Sequence, residues 1–157
     1  LIQSKIKITK ETNHKELSGK MSELGAKLIS DTFEIIKNKK LNFTEQNESK
    51  ATYAKKIEKT ESRLNWNDDA DKIIAKINAF SPNPGCWFEL NGIRIKIIKA
   101  IQVTSKGMPG TILDDKLTIA CSKDAIRIIE LQKEGKQKTT ADEFLRGNKI
   151  RTGQSLN

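Results

Sequence analysis

Apolar residues recur every second position in some stretches and every third or fourth in others, and the two periods divide the chain into elements. In residues 1–8, LIQSKIKI, Ile6 and Ile8 share one face and Lys5 and Lys7 the other, which predicts a short strand. Met21, Leu24, Leu28, Phe33, Ile35 and Ile36 then form an apolar stripe at helical spacing. Ser18-Gly19 is the expected start of this helix, and it runs to about Lys37, where a cation suits the negative end of the helix dipole. One strand and one helix close no core, so residues 1–37 are expected to be the tail of a larger domain, and a chain opening at Leu1-Ile2 is expected to be an excised or truncated piece.

Residues 38–60 carry no sustained period. Lys39, Lys40, Lys50, Lys55, Lys56 and Lys59 stand among polar residues, with Leu41, Phe43, Tyr53 and Ile57 as the only apolar anchors, which predicts a linker. Ala70, Ile73, Ile74, Ile77 and Phe80 next define one face of a second helix. Asp68, Asp69 and Asp71 lie in its first turn, and it ends before Pro82.

Beyond Gly85 the period is two. Cys86–Leu90 is a predicted strand, Asn91-Gly92 a hairpin turn, and Ile93, Ile95 and Ile97 alternate with Arg94 and Lys96. The doubled pairs Ile97-Ile98 and Ile128-Ile129 break the alternation and predict bulges. Thr111–Leu113, Lys116–Cys121 and Ala125–Gln132 complete five short strands around an Asp114-Asp115 turn. Such strands with a flanking helix predict an α+β fold built on a small closed or half-closed barrel. A basic loop, residues 133–138, leads to a capping box from Thr140 to Glu143, a last helix over residues 141–146, Gly147 at its C′ position and an irregular tail.

Composition refines this picture. Only 36% of the 157 residues are hydrophobic and the mean hydropathy is −0.58, so part of the chain is not expected to bury a core. No apolar run approaches the roughly 18 residues of a membrane span. The net charge is +9, distributed as +5 over residues 1–60, −2 over 61–90 and +6 over 91–157. Two basic regions flanking an acidic one fit a polyanion partner or, equally, a solvated lysine-rich surface. Cys86, Cys121 and the single His14 do not supply a zinc site at the usual spacings, and the cysteines are expected to be reduced, buried side chains of a cytoplasmic protein. His14 has no nucleophile or orienting partner nearby in sequence and is not expected to be catalytic.

Several motifs, in order, carry a resemblance. They are Tyr53-Ala54-Lys55-Lys56-Ile57, the run Ala79 to Phe88 (AFSPNPGCWF), Pro109-Gly110-Thr111-Ile112-Leu113, Leu131-Gln132-Lys133-Glu134-Gly135-Lys136, and Glu143-Phe144-Leu145-Arg146-Gly147. Together they resemble the C-terminal half of the methionyl-tRNA formyltransferase family, and Met21–Ile36 resembles the last helix of that family's catalytic domain. The resemblance implies three parts: a strand-helix remnant of a Rossmann-like domain (1–37), a basic linker (38–60), and a C-terminal OB-like barrel (61–157).

The family moves a formyl group from 10-formyltetrahydrofolate to the amino group of methionyl-tRNA, so the resemblance implies initiator methionyl-tRNA as partner and the folate as donor in the full-length enzyme. Its catalytic and folate-binding residues lie upstream of the matching helix, so no catalytic, cofactor or metal residue is assigned here, and this piece alone is expected to be inactive. A free-standing OB-type RNA- or single-stranded-DNA-binding module, or part of a related sugar-nucleotide or folate formyltransferase, are the alternatives. A monomer is expected.

The residues assigned to tRNA are Lys55, Lys56 and Lys59 of the linker, Arg94 and Lys96 on the polar face of a strand, and Lys136 of the basic loop. Lys136 matches a lysine of a family run Leu-Gln-Pro-x-Gly-Lys-Lys, from which this chain departs at Lys133 and Gln137. With aromatic residues at 5%, backbone electrostatics rather than base stacking is the expected mode, and Trp66 and Trp87 are assigned to packing.

Overall fold

The computed structural model describes residues 2–38 and 42–156. Leu1 of the expected first strand, and Lys39, Lys40 and Leu41 of the expected linker, lie outside the described residues. The chain divides into two compact units, Leu1–Ile57 and Glu58–Asn157.

Among its described residues the first unit contains one long helix, α1 (His14–Lys37), and a single 3-10 turn at Glu48–Lys50. Asn13, not Ser18, opens α1: its side chain accepts the Glu16 backbone N–H at 3.0 Å, and the next four residues are already helical. Residues 2–9 form no strand, a correction to the alternation read there: a strand exists only where a ladder satisfies its backbone, and among the described residues none pairs with it. No residue of α1 is buried; Met21, Ile29, Phe33 and Ile36 are exposed. Among the described residues no helix is long and apolar enough to cross a membrane.

The second unit is an α+β domain. It comprises α2 (Ala70–Phe80), β1 (Cys86–Leu90), β2 (Ile93–Val103), β3 (Thr118–Ala120), β4 (Ala125–Lys133), β5 (Lys138–Thr140) and α3 (Ala141–Gly147). One antiparallel sheet runs β1-β2-β4-β3, with β5 added to β4. The strand pairing leaves this sheet open rather than closed into a barrel. Arg63 bridges onto β1 at Trp87, and Ile112 onto β3 at Ile119, so irregular backbone occupies both edges. Thr111–Leu113, expected as a strand, contributes only two isolated bridges.

The hairpin between β1 and β2 is set by Asn91 and Gly92, with φ of 52° and 76°, the left-handed pair that a two-residue turn matched to strand twist requires. Both doubled isoleucine pairs are bulges. In the β2–β4 ladder Ile97 faces Leu131, Lys99 faces Glu130 and Ala100 faces Ile128, so Ile98 is the extra residue in β2 and Ile129 in β4. Opposite the bulge, Ser81 at the end of α2 is buried and donates its hydroxyl to the Ile98 carbonyl at 2.8 Å.

The core lies on one face of the sheet. Phe88, Ile95, Ile97, Ile119, Ile126, Ile128 and Leu131 are buried there with Ala70, Ile73 and Ile77 of α2 packed across them. Full burial of each large aliphatic side chain contributes on the order of 1.5–3 kcal/mol. Phe144 of α3 and Leu156 of the tail seal one end. The Thr140–Glu143 capping box is formed. Gly147 is the last residue of α3 rather than a left-handed C′ residue; Asn148 ends the helix instead, its side-chain amide donating to the Phe144 carbonyl at 2.8 Å.

Candidate functional site

Because Cys86, Phe88 and Leu90 point into the core, Trp87 and Glu89 must point to the opposite face of β1. Their cross-strand partners are Lys96 and Arg94. Gln132 of β4 faces Lys96 from the other side. This outer face forms the floor of a cleft of about 550 Å³. One wall is the 3-10 turn Lys59–Ser62; the other is the β4–β5 turn, Lys133–Gly135. Pro84 and Gly85 close the end near α2.

Trp87 is held in place rather than merely exposed. Its indole N–H donates to Ser62 Oγ at 3.1 Å, and Ser62 Oγ donates to the Lys59 carbonyl at 2.7 Å. The Leu64 N–H donates to the Trp87 carbonyl at 2.9 Å, tying the same strap along β1. The Arg94 guanidinium sits over the indole, 4.0 Å from the ring centroid, and that of Arg63 lies 5.5 Å from it. A cation over an aromatic face is attracted by the ring quadrupole. Trp87 is therefore half-exposed in the cleft and not a packing residue, in contrast to Trp66, which is 4% exposed and meets Phe88 edge-on at 5.7 Å. The alternation in Cys86-Trp87-Phe88 already carried this distinction.

Four cations, Lys59, Arg94, Lys96 and Lys133, line the cleft against one carboxylate, Glu134. Among the described residues, the nearby ion pairs are made by others: Arg63 with Glu89 at 3.8 Å and Lys138 with Glu130 at 3.0 Å. Among those same residues Arg94, Lys96 and Lys59 have no ion-pair partner. The stem of Lys96 is laid against Gly85, so that a Cβ on Gly85 would come within 2.5 Å of Lys96 Cδ. Gly85 also has a φ of +81°. The glycine thus sets where the Lys96 ammonium can reach.

Of the six residues expected to meet tRNA, the structure brings Lys59, Arg94 and Lys96 together. Lys136 sits on the exposed turn beside them: its carbonyl accepts the Gln132 side-chain amide at 2.8 Å, but its side chain does not line the cleft. Lys55 and Lys56 belong to the other unit, where both are exposed. Sequence reasoning missed Trp87, Gln132 and Lys133 as cleft residues; the outward phase of β1 and β4 signals Trp87 and Gln132, whereas Lys133, opposite inward Ile95 at the end of β4, carries no such signal.

The remaining polar chemistry is structural. Asp114 accepts from the Lys116 and Thr118 N–H groups, both at 3.0 Å, from Thr118 Oγ1 at 2.7 Å and from Arg127 Nη2 at 3.2 Å. Burial pushes its carboxyl up, but the hydrogen bonds from Thr118 and Lys116 and the charge of Arg127 outweigh it and hold it below the usual value. Glu143 is held down at about 2 by hydrogen bonds from Thr139 and Thr140. Cys86 and Cys121 are buried free thiols, both pushed up to about 11 by burial. Among the described residues no group of three or more His, Cys, Asp or Glu is arranged to hold a metal ion.

The pattern of the formyl transferase C-terminal domain matches residues 56–149. The chain belongs to that family. It is 40% identical over 153 residues to the methionyl-tRNA formyltransferase of Bradyrhizobium diazoefficiens, covering 95% of this chain and 49% of that enzyme. With the methionyl-tRNA formyltransferase of Pelagibacter ubique it shares 39% over 153 residues, 97% of this chain and 49% of the relative. The chain thus spans about half the length of the curated relatives it matches. Among solved structures, a variant of HypX from Aquifex aeolicus superposes with a TM-score of 0.69 at 19% identity, over 95% of this chain and 31% of that one. HypX in complex with tetrahydrofolic acid superposes with a TM-score of 0.56 at 20% identity, over 81% and 26%. At these identities the HypX likeness concerns the fold alone.

Proposed function

We propose that this chain is the tRNA-binding portion of a methionyl-tRNA formyltransferase, the enzyme that passes a formyl group from 10-formyltetrahydrofolate to the amino group of initiator methionyl-tRNA in the cytoplasm. The observation that carries the reading is the cleft. Lys59, Arg94 and Lys96 converge there without carboxylate partners among the described residues, in a chain similar over nearly all its length to enzymes named for a tRNA substrate. Uncompensated cations on a concave face attract phosphates, and the counterions they release drive association.

In this reading Lys59, Arg94 and Lys96 hold backbone phosphates, with Lys136 on the adjoining turn and Lys55 and Lys56 adding charge from the preceding segment. The OB-like use of one sheet face fits such a role. The domain orients the acceptor arm, and the donor and the reacting groups belong to the other half of the full-length relatives. Its contribution to rate is positional. No formyl transfer is expected from this chain alone.

The test is a titration with initiator and elongator tRNA from roughly 50 to 200 mM salt, where affinity falls by about 0.9 logarithmic units per decade of salt for each duplex phosphate neutralised. Removing the charge of Lys59, Arg94 or Lys96 makes that slope shallower by about one unit for each phosphate no longer held. The fragment binds both tRNAs alike, since phosphates carry no sequence information. Absent or salt-independent binding would overturn the reading.

A further inference from the structure

Phosphate binding alone gives no reason for an aromatic ring on the floor of this cleft. A ring turned to the outer face of β1 forgoes the core burial that its neighbours Cys86 and Phe88 obtain. Trp87 is nonetheless fixed there by its indole hydrogen bond to Ser62, and its face carries the Arg94 guanidinium at 4.0 Å. A guanidinium 4.0 Å from the ring centroid is close enough to stack on it, and a stacked planar cation offers its other face to a nucleobase. Arg94 has no carboxylate partner among the described residues, so nothing there draws it off the ring.

Lysine cations line the same cleft as this stack. Lys59 lies on the strap side and Lys96 on the floor, its stem laid against Gly85. The floor is recessed between the Lys59–Ser62 turn and the Lys133–Gly135 turn. A paired duplex keeps its bases stacked inside and shows only its backbone, so it offers phosphates to Lys59, Arg94 and Lys96 but no base to the stack. A base that has left its stack could enter.

We infer that the cleft seats a single unpaired nucleotide of RNA, its base stacked on the Arg94 guanidinium backed by Trp87, and its phosphate held by Lys59 and Lys96. The inference rests on the proposed RNA-binding role and deepens it: the paired stem is held by charge, and one unpaired position is held by stacking.

The test uses the full chain and two fluorescently labelled RNA hairpins with the same stem, one fully paired and one with a single-nucleotide bulge, at roughly 150 mM salt. A third hairpin carries an abasic residue in the bulge. The bulged hairpin binds about ten-fold tighter than the paired one, the size of one base–aromatic stack, and the abasic hairpin loses that advantage. Trp87→Leu brings the affinities for the bulged and paired hairpins to within about two-fold of each other. Arg94→Lys, which keeps the charge and removes the plane, also lowers the bulged-to-paired affinity ratio, and reading that ratio within each variant guards against a folding defect in the tryptophan variant. Equal affinity of the native chain for paired and bulged hairpins, with both falling as salt rises, would overturn the unpaired-nucleotide site and leave the electrostatic role standing. Absence of any salt-dependent RNA binding would overturn both. Tighter binding of free AMP than of the bulged hairpin would assign the cleft to a free nucleotide and overturn the inference.

Discussion

The hydroxyl of Ser81 donates to the carbonyl of Ile98 at 2.8 Å, joining the end of α2 to the extra residue of the β2 bulge. A bulge takes a carbonyl out of the regular ladder, and the serine answers it from the helix packed above. Ser81→Ala leaves that carbonyl without its partner at a half-buried position. The expected loss is about 1–2 kcal/mol of stability. It is read as a lower midpoint in urea with an unchanged slope; an unchanged midpoint would mean that water replaces the serine without cost.

Gly85→Ala probes the cleft without altering any charge. The new methyl group would sit 2.5 Å from Lys96 Cδ, and the backbone at φ +81° disfavours any side chain. Left-handed backbone costs an alanine roughly 1–2 kcal/mol. The lysine stem is flexible and swings aside. RNA affinity is therefore expected to drop about as far as in Lys96→Ala, although the net charge is unchanged. Native affinity in a folded Gly85→Ala chain would show that the position of the Lys96 ammonium does not matter.

Which of these features the sequence displayed follows from how local their causes are. The hairpin at Asn91-Gly92, the capping box at Thr140 and the two bulges depend on neighbouring residues, and all were legible. β5 was not: Lys138, Thr139 and Thr140 have no apolar alternation and are a strand only because Gln132, Leu131 and Glu130 of β4 offer a ladder. Residues 2–9 show the reverse, an alternation with no ladder to join among the described residues. The cleft was half legible. Arg94 and Lys96 were readable from their phase, whereas Trp87 was drawn towards the core by its size, a bias that its position between two inward residues corrects.

Acid should loosen the start of α3. The Glu143 carboxyl, depressed from its ordinary 4.5 to about 2 by Thr139 and Thr140, stabilises the folded state in its ionised form. A depressed carboxyl contributes fully above its unfolded value, and the contribution disappears as pH falls through the folded one. Stability thus falls between roughly pH 4.5 and pH 2, with Asp114 adding to the loss in the acid range because its carboxyl is also lowered. Glu143→Gln flattens the dependence of urea midpoint on pH in that window. An equally steep dependence in the variant would place the acid sensitivity elsewhere.

The two thiols report on opening of the core. Cys86 and Cys121 are buried and pushed up to about 11, so neither forms much thiolate in the folded protein at neutral pH. A disulfide reagent at about pH 8 is expected to react with both only as fast as the domain unfolds, and with both together. Rapid reaction of one thiol in the native chain would reveal a local opening on its side of the sheet.

The paired bulges act like two compensating frameshifts. Before them, the inward residues of β2 are Ile95 and Ile97; after them, the parity changes and Ala100 is inward. β4 changes parity at the same place, from Leu131 to Ile128 and Ile126. Each strand is out of phase with its own first half yet in phase with its neighbour along the whole ladder. Were β2 drawn straight with its sequence unchanged, strict alternation would drive Lys99 into the core and Ala100 out to water. Removing Ile98 and Ile129 together would instead keep every inward residue inward and take away only the bend. The doubled isoleucines are therefore where these two strands can shed a residue and keep their faces, whereas a deletion at any regular position turns the rest of the strand over.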